Sequence, residues 1–143
     1  MNVSTILKTK GHSVKTAAVT ATVLDIVRSL SENKIGAIVV LGEAGRIAGI
    51  VSERDIIRVL AQSGPGALDT PVAHIMTKDV ITCTESDTVG EIMNMMTKGR
   101  FRHLPVVDHD RLVGIVSIGD VVKLRVSEVE MEAKALQDYI ASH

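Results

Sequence analysis

The spacing of apolar residues changes character along the chain, and it does so in the same order twice. Val23, Ile26, Val27 and Leu30 recur at helical spacing, with Thr20 or Thr22 placed to cap that helix. After Gly36 the run Ala37-Ile38-Val39-Val40-Leu41 is continuous and largely β-branched, which predicts a strand buried on both faces. Gly42-Glu43-Ala44-Gly45-Arg46 reads as a turn, and Ile47 to Val51 as the return strand of a hairpin. Ser52 then opens a helix running to about Gln62, where Ser63-Gly64-Pro65-Gly66 stops it.

The second pass starts with the lead-in Val72 to Met76 and predicts a strand over Val80-Ile81-Thr82-Cys83. Ser86-Asp87-Thr88 caps a helix with Val89, Ile92, Met93 and Met96 on one face; Met93, Met95 and Met96 read as core filling. Leu104 to Val107 is a strand, Asp108 to Arg111 a turn, Leu112 to Val116 a strand, and Ser117 opens a helix. Val3, Ile6 and Leu7 form a short amphipathic lead-in, and Val14-Lys15-Thr16-Ala17 is extended. From Ser127 to His143 the sequence is charged, with Val129, Ala133, Leu136 and Ile140 at helical spacing, which predicts a separate terminal amphipathic helix. Arg100 and Arg102 are expected to alternate across a strand and face opposite ways.

The two passes are in register. A shift of 66 pairs Val14 with Val80, Thr16 with Thr82, Thr22 with Thr88, Ile26 with Ile92 and Val40 with Val106. Past the hairpin turn a shift of 65 pairs Gly49 with Gly114, Ser52 with Ser117 and Asp55 with Asp120. Such recurrence marks a repeat architecture. The expected class is mixed α/β (α+β): two β-α-β-β-α repeats, residues 3–62 and 72–126, a linker at 63–71 and a terminal helix at 127–143. One small sheet with helices on one face leaves apolar surface exposed, so the two sheets are expected to pack about a pseudo-twofold axis with clefts between repeats.

Composition narrows the function. The formal net charge is −1, against broad nucleic-acid binding through phosphates and against a polybasic membrane patch. Phe101 and Tyr139 are the only aromatics, too few for a base-stacking platform. Cys83 is alone, so a reduced, cytoplasmic setting is expected. Met1 to Thr5 has no basic and apolar leader pattern, and no apolar run nears the ~20 residues of a membrane span.

The repeated Gly-Ile-Val-Ser segment carries the chemistry. Ser52-x-x-Asp55 and Ser117-x-x-Asp120 fit a capping box, which alone would account for both residues. The same segment sits at a strand-to-helix junction, where backbone N–H groups can hold an anion. A short carboxylate there can accept from a ribose diol, as in dinucleotide folds, and Arg54 lies beside it for a phosphate. A sugar acceptor, backbone donors and a cation together describe a nucleotide pocket.

Gly49-Ile50-Val51-Ser52-Glu53-Arg54-Asp55, Gly114-Ile115-Val116-Ser117-Ile118-Gly119-Asp120, Arg102-His103-Leu104-Pro105-Val106-Val107-Asp108 and Ile75-Met76-Thr77 with Val80-Ile81-Thr82 resemble a tandem CBS (cystathionine-β-synthase) domain pair, a Bateman module, over about residues 3–126. The resemblance implies clefts for adenosyl ligands: AMP, ADP, ATP, NAD(H) or S-adenosylmethionine. By position, Asp55 and Asp120 would take ribose hydroxyls, and Ser52 and Ser117 ribose or phosphate, with Gly119 beside them. Thr16 and Thr82, with Lys15 and Ile81, would border the adenine; Gly36-Ala37-Ile38 and Arg102-His103-Leu104-Pro105 would wall the pockets. Arg54, Arg102 and His103 would neutralise phosphates. Glu53-Arg54 stands against Ile118-Gly119, and Gly36-Ala37 against Arg102-His103, so the two clefts are expected to differ in affinity or ligand, one suiting a mononucleotide and the other a larger adenylate.

No metal-ligand spacing, Walker motif, Rossmann glycine fingerprint or nucleophile triad is present, so neither a metal nor a catalytic cofactor is expected. The expected function is a non-catalytic sensor of energy or redox state, homodimeric by resemblance, acting on a protein partner that the sequence does not name. The alternative is a dimerisation scaffold with vestigial clefts, in which Ser52 and Asp55 are only caps.

Overall fold

A computed structural model describes residues 1–143. In chain order the elements are α1 (Val3–Lys10), β1 (Thr16–Ala18), α2 (Val23–Asn33), β2 (Ala37–Leu41), β3 (Ile47–Ser52), α3 (Glu53–Ser63), α4 (Val89–Gly99), β4 (His103–Asp108), β5 (Arg111–Ser117) and α5 (Ile118–Ala141), with 3-10 turns at Pro65–Asp69 and Val72–His74. The mixed α/β class expected from the pattern is the one found. Residues group into two compact units. One comprises Met1–His12, Thr82–Asp108 and Gly114–His143; the other comprises Ser13–Ile81 and His109–Val113. These units are not the sequence repeats, because each repeat's lead-in packs with the body of the other repeat.

In the unit centred on the first repeat, β1 pairs parallel to β2 and β2 pairs antiparallel to β3. The expected hairpin is therefore present, Val39 opposite Ile50 and Val40 opposite Gly49, with a register shift at Val40/Leu41. Thr22 is the cap that α2 uses: its Oγ1 accepts from the Asp25 amide and the Asp25 carboxylate accepts from the Thr22 amide. Val23, Ile26 and Leu30 on one face of α2 meet Ile38, Val40, Val51, Ile56 and Val72 in one core. Each such side chain contributes about 1.5–3 kcal/mol by leaving water. The segment expected as a linker is ordered: its 3-10 turn buries Ala67. Gly64 ends α3 at φ 72, and Pro65 follows it.

In the second repeat β4 and β5 form a two-stranded sheet. The strand expected over Val80 to Cys83 is reduced to a single parallel bridge, Cys83 to Val106. The Cys83 amide donates to the Pro105 carbonyl and the Val107 amide donates to the Cys83 carbonyl. The next rung upstream would need an N–H from position 105, and proline has none. The first repeat carries Val39 there and keeps three paired positions. On α4, Val89, Ile92 and Met96 are buried, but Met93 is exposed and Met95 half-buried, so only one of the three methionines fills core as expected. Arg100 is the left-handed cap of α4 at φ 55, and Arg102 precedes β4, so the expected strand alternation of these two arginines does not occur. The separate terminal helix is also absent: α5 runs unbroken from Ile118 to Ala141, because no Gly-Pro pair of the kind that stops α3 follows Leu124.

The paired glycines of the repeated segment are close-approach points. At Gly49 a Cβ would lie 2.9 Å from the Thr77 carbonyl oxygen and 2.5 Å from Met76 Sδ, where Ile50 and Thr77 exchange backbone hydrogen bonds of 3.0 and 2.9 Å. At Gly114 it would meet the Leu7 methyls of α1, the nearest at 2.8 Å. Overpacking costs roughly 1–3 kcal/mol. Gly49→Ala is expected near the top of that range because Thr77, held by its carbonyl and its amide in two backbone bonds to Ile50, cannot retreat, and Gly114→Ala near the bottom because a leucine terminus can rotate. Urea unfolding of both variants measures the order; equal losses would contradict it.

Candidate functional site

Each Gly-Ile-Val-Ser segment runs off a strand and directly into a helix. At the first junction Ser52 is the N-cap of α3, with extended backbone. Its amide donates to Asp55 Oδ2 at 2.9 Å, its hydroxyl donates to the same oxygen at 3.1 Å, and the Asp55 amide returns a 3.4 Å bond to the serine oxygen. The second junction repeats this at 2.8, 3.0 and 3.2 Å with Ser117 and Asp120 at the start of α5. The first helical amide is also used at both: Glu53 donates to the Gly36 carbonyl at 3.0 Å, Ile118 to the Arg102 carbonyl at 2.8 Å. Of the first three helical amides, only those of Arg54 and Gly119 have no partner outside their own helices. The anion-holding backbone at each junction therefore narrows to a single N–H.

Asp55 and Asp120 have a similar cap and different counter-charges. Arg58, one turn along α3, places Nη1 3.3 Å from Asp55 Oδ1. Asp120 Oδ1 accepts no hydrogen bond within the chain, while Oδ2 also receives the Lys10 ammonium of α1 at 2.7 Å; the same ammonium donates to the Ile115 carbonyl at 3.0 Å. Burial alone would raise the Asp120 carboxyl. The Lys10 ammonium, with the amide and hydroxyl of Ser117, outweighs that effect and holds it below the usual carboxylate range. Neither cation was among the residues read from sequence. Arg58 could have been found from its i+3 spacing to Asp55. Lys10 could not, because it lies 110 residues from its partner and its counterpart by the repeat shift is Met76.

The remaining expected site residues lie in the two units as follows. Around the first junction are Lys15 and Thr16, both exposed, half-buried Gly36, buried Ala37 and exposed Arg54. Ile38 is fully enclosed in the core, so at that position a ligand could meet only backbone. Ile81 is exposed and belongs to the same unit. Around the second junction are half-buried Thr82, exposed Arg102 and Gly119, and half-buried His103. Leu104 is fully enclosed and Pro105 buried. The lone thiol of Cys83 is 2% exposed; burial, with the nearby Asp87 charge, pushes it up to about 12, which makes it unreactive. No helix is long and apolar enough to cross a membrane.

Fold and junctions together define an internally duplicated α/β protein with one serine–aspartate box per repeat. The CBS domain family model matches residues 4–62 and 72–127, and the chain belongs to that family. It is 38% identical over 146 residues to the mitochondrial CBS domain-containing protein CBSX3 of Arabidopsis thaliana, covering 96% of this chain and 71% of that one. Among solved structures it is similar to the CBS-domain containing protein ATU1752 of Agrobacterium tumefaciens, with 41% identity, a TM-score of 0.84, and coverage of 87% of this chain and 92% of that one. It is also similar to the CBS domain pair of protein MJ0100 in complex with 5′-methylthioadenosine and S-adenosyl-L-methionine, at 29% identity and a TM-score of 0.79, covering 90% and 98%.

The Lys10–Asp120 pair has a pH signature. A carboxyl lowered in the folded state contributes stability above its unfolded value, about 3.9, and that contribution is lost as pH falls through the folded value. Lys10→Met leaves burial opposed only by the Ser117 bonds, so the folded carboxyl moves back toward its unfolded value; the variant is expected to be less stable than the parent near neutral pH and to lose less on acidification, giving a flatter acid limb in a melting-temperature profile. Asp120→Asn is expected to flatten part of that limb. A Lys10→Met profile that overlays the parent from acid to neutral pH would show that the pair contributes nothing.

Proposed function

We propose that this chain is a non-catalytic regulatory module that binds adenosyl ligands at its two serine–aspartate junctions. The observation that carries the reading is the state of the carboxylates. One oxygen of each is fixed by the serine above it, and at Asp120 the other has no partner in the chain, as an acceptor for a sugar hydroxyl requires. The similarity to MJ0100, solved with two adenosyl compounds, supports the ligand class. Within that class AMP, ADP, ATP and NAD(H) are the proposed ligands. Thr16 and Thr82 are proposed to border the adenine, and Arg54, Arg102 and His103 to meet phosphates. The junctions are proposed to be inequivalent, because Asp55 faces an arginine of its own helix and Asp120 a lysine of α1. Binding would act as a population shift, limited by the ligand's differential affinity for two states, and would report energy or redox state to a cytoplasmic protein partner.

A second reading rests on the same caps: the serine and aspartate already satisfy each other, as a pure scaffold would need. Calorimetric titration of nucleotide-stripped protein with AMP, ATP, NAD and S-adenosylmethionine, with GTP as control, separates the two. Saturable adenylate binding is expected at two unequal sites. Asp55→Ala or Asp120→Ala should weaken its own site by roughly 10- to 150-fold, the loss of hydrogen bonds to a charged acceptor worth about 1.5–3 kcal/mol. The cap itself costs about 1 kcal/mol of stability. Silence from every adenylate would leave the scaffold, and two identical independent sites would refute the inequivalence.

A further inference from the structure

The two aspartates sit in the same serine box, yet only one of them presents an open oxygen. Asp55 is 9% exposed, the only buried charged residue of the chain. Its Oδ2 is held by Ser52, and its Oδ1 lies 3.3 Å from the Arg58 guanidinium one turn along α3. In the second repeat the shift of 65 puts Lys123 in the place of Arg58. Lys123 is exposed and does not pair with Asp120. The cation that Asp120 does receive, from Lys10, sits on Oδ2, the oxygen that the serine already holds. Oδ1 is therefore occupied at the first junction and open at the second.

We propose that Arg58 is a specificity-determining residue of the first junction, where its guanidinium occupies the oxygen that a ribose hydroxyl needs and so competes with the sugar. This rests on the reading of the two junctions as adenosyl sites. A ribose at the second junction meets Asp120 Oδ1 open and gains the whole hydrogen bond. At the first it must displace Arg58, whose side chain is 63% exposed and returns to water when it leaves. Breaking an exposed ion pair lowers affinity by at most about fivefold. The loss falls only on ligands that donate from a sugar hydroxyl. The first junction therefore distinguishes ribose from deoxyribose less sharply than the second, and it fills after it.

Uncharged nucleosides isolate the effect, because they bring no phosphate for an arginine to attract. The full chain is titrated calorimetrically with adenosine and 2′-deoxyadenosine, as Asp120→Ala to read the first junction and as Asp55→Ala to read the second. The second junction is expected to prefer adenosine roughly tenfold or more, as a hydrogen bond to a charged acceptor gives, and the first by several-fold less. Arg58→Met is expected to tighten adenosine at the first junction about two- to fivefold, with 2′-deoxyadenosine and the second junction unchanged. Raising salt from about 0.1 M to about 1 M shortens the screening length from about 10 Å to about 3 Å. Adenosine should then tighten at the first junction relative to the second, and Arg58→Met should abolish that difference. Adenosine left unchanged or weakened by Arg58→Met, an equal ribose preference at the two junctions, or binding of AMP with none of adenosine would overturn the proposal and leave the adenosyl reading standing. Silence from adenosine and AMP alike would refute that reading and the role of Arg58 with it.

Discussion

At two places in this chain a serine directs both its amide and its hydroxyl at one oxygen of the aspartate three residues on, and the helix that follows depends on that arrangement. A helix begins with backbone donors that have no partner within it. Here they are distributed: one to the serine oxygen, one to a carbonyl at the opening of the hairpin's first strand, Gly36 before β2 and Arg102 before β4. The same bonds fix the carboxylate. Rotation about its side-chain torsions would break two hydrogen bonds, so its remaining oxygen is held in one direction before any ligand arrives. A cap and a preorganised acceptor are thus one object, and preorganisation is what makes a small polar contact contribute to affinity.

The two copies diverge in what surrounds that object. Asp55 receives its cation from its own helix, through Arg58, whereas Asp120 receives it from α1. Coulomb attraction between exposed groups contributes little. The Asp120 side chain is 20% exposed, however, and its ammonium partner is tied down by a second bond to the Ile115 carbonyl. That is why its carboxyl stays ionised despite burial.

Much of this was legible from residue types. Thr22 and Thr88 cap where their position predicts, the β2–β3 hairpin turns where the glycines lie, and Ser52 and Ser117 open helices because serine followed by aspartate at the third position is a local signal. The misses share a cause, which is that each depends on a partner distant in sequence or on a missing one. Val80 to Cys83 has strand composition, but the strand beside it carries Pro105, and only the pairing shows that a donor is lacking. Met93 has the right helical phase for the core but lies at the edge of the buried face, where Val89, Ile92 and Met96 take the contact. Lys10 has no local signal at all, since a lysine near a helix end is ordinary until Asp120 is found beside it.

The exchange of lead-in segments gives that lysine its importance. Helix α1 is held at the second junction at two points. Leu7 lies over Gly114, where only a missing Cβ lets it approach, and Lys10 bonds Asp120 and the Ile115 carbonyl. The start of α1 is held apart from the junction, where the Val3 and Ser4 amides donate to the Asp87 and Glu85 carbonyls. The second junction thus has two claims on one carboxylate: the serine that builds the box, and the lysine that anchors α1. Any group that takes Oδ2 competes with both, and the lysine, on a long flexible stem, is the weaker claimant. The first junction has no such link, because Met76 stands in the equivalent place and contributes only bulk over Gly49. The carboxylate of the second junction therefore ties together elements far apart in sequence, while at the first the same chemistry stays within one helix turn.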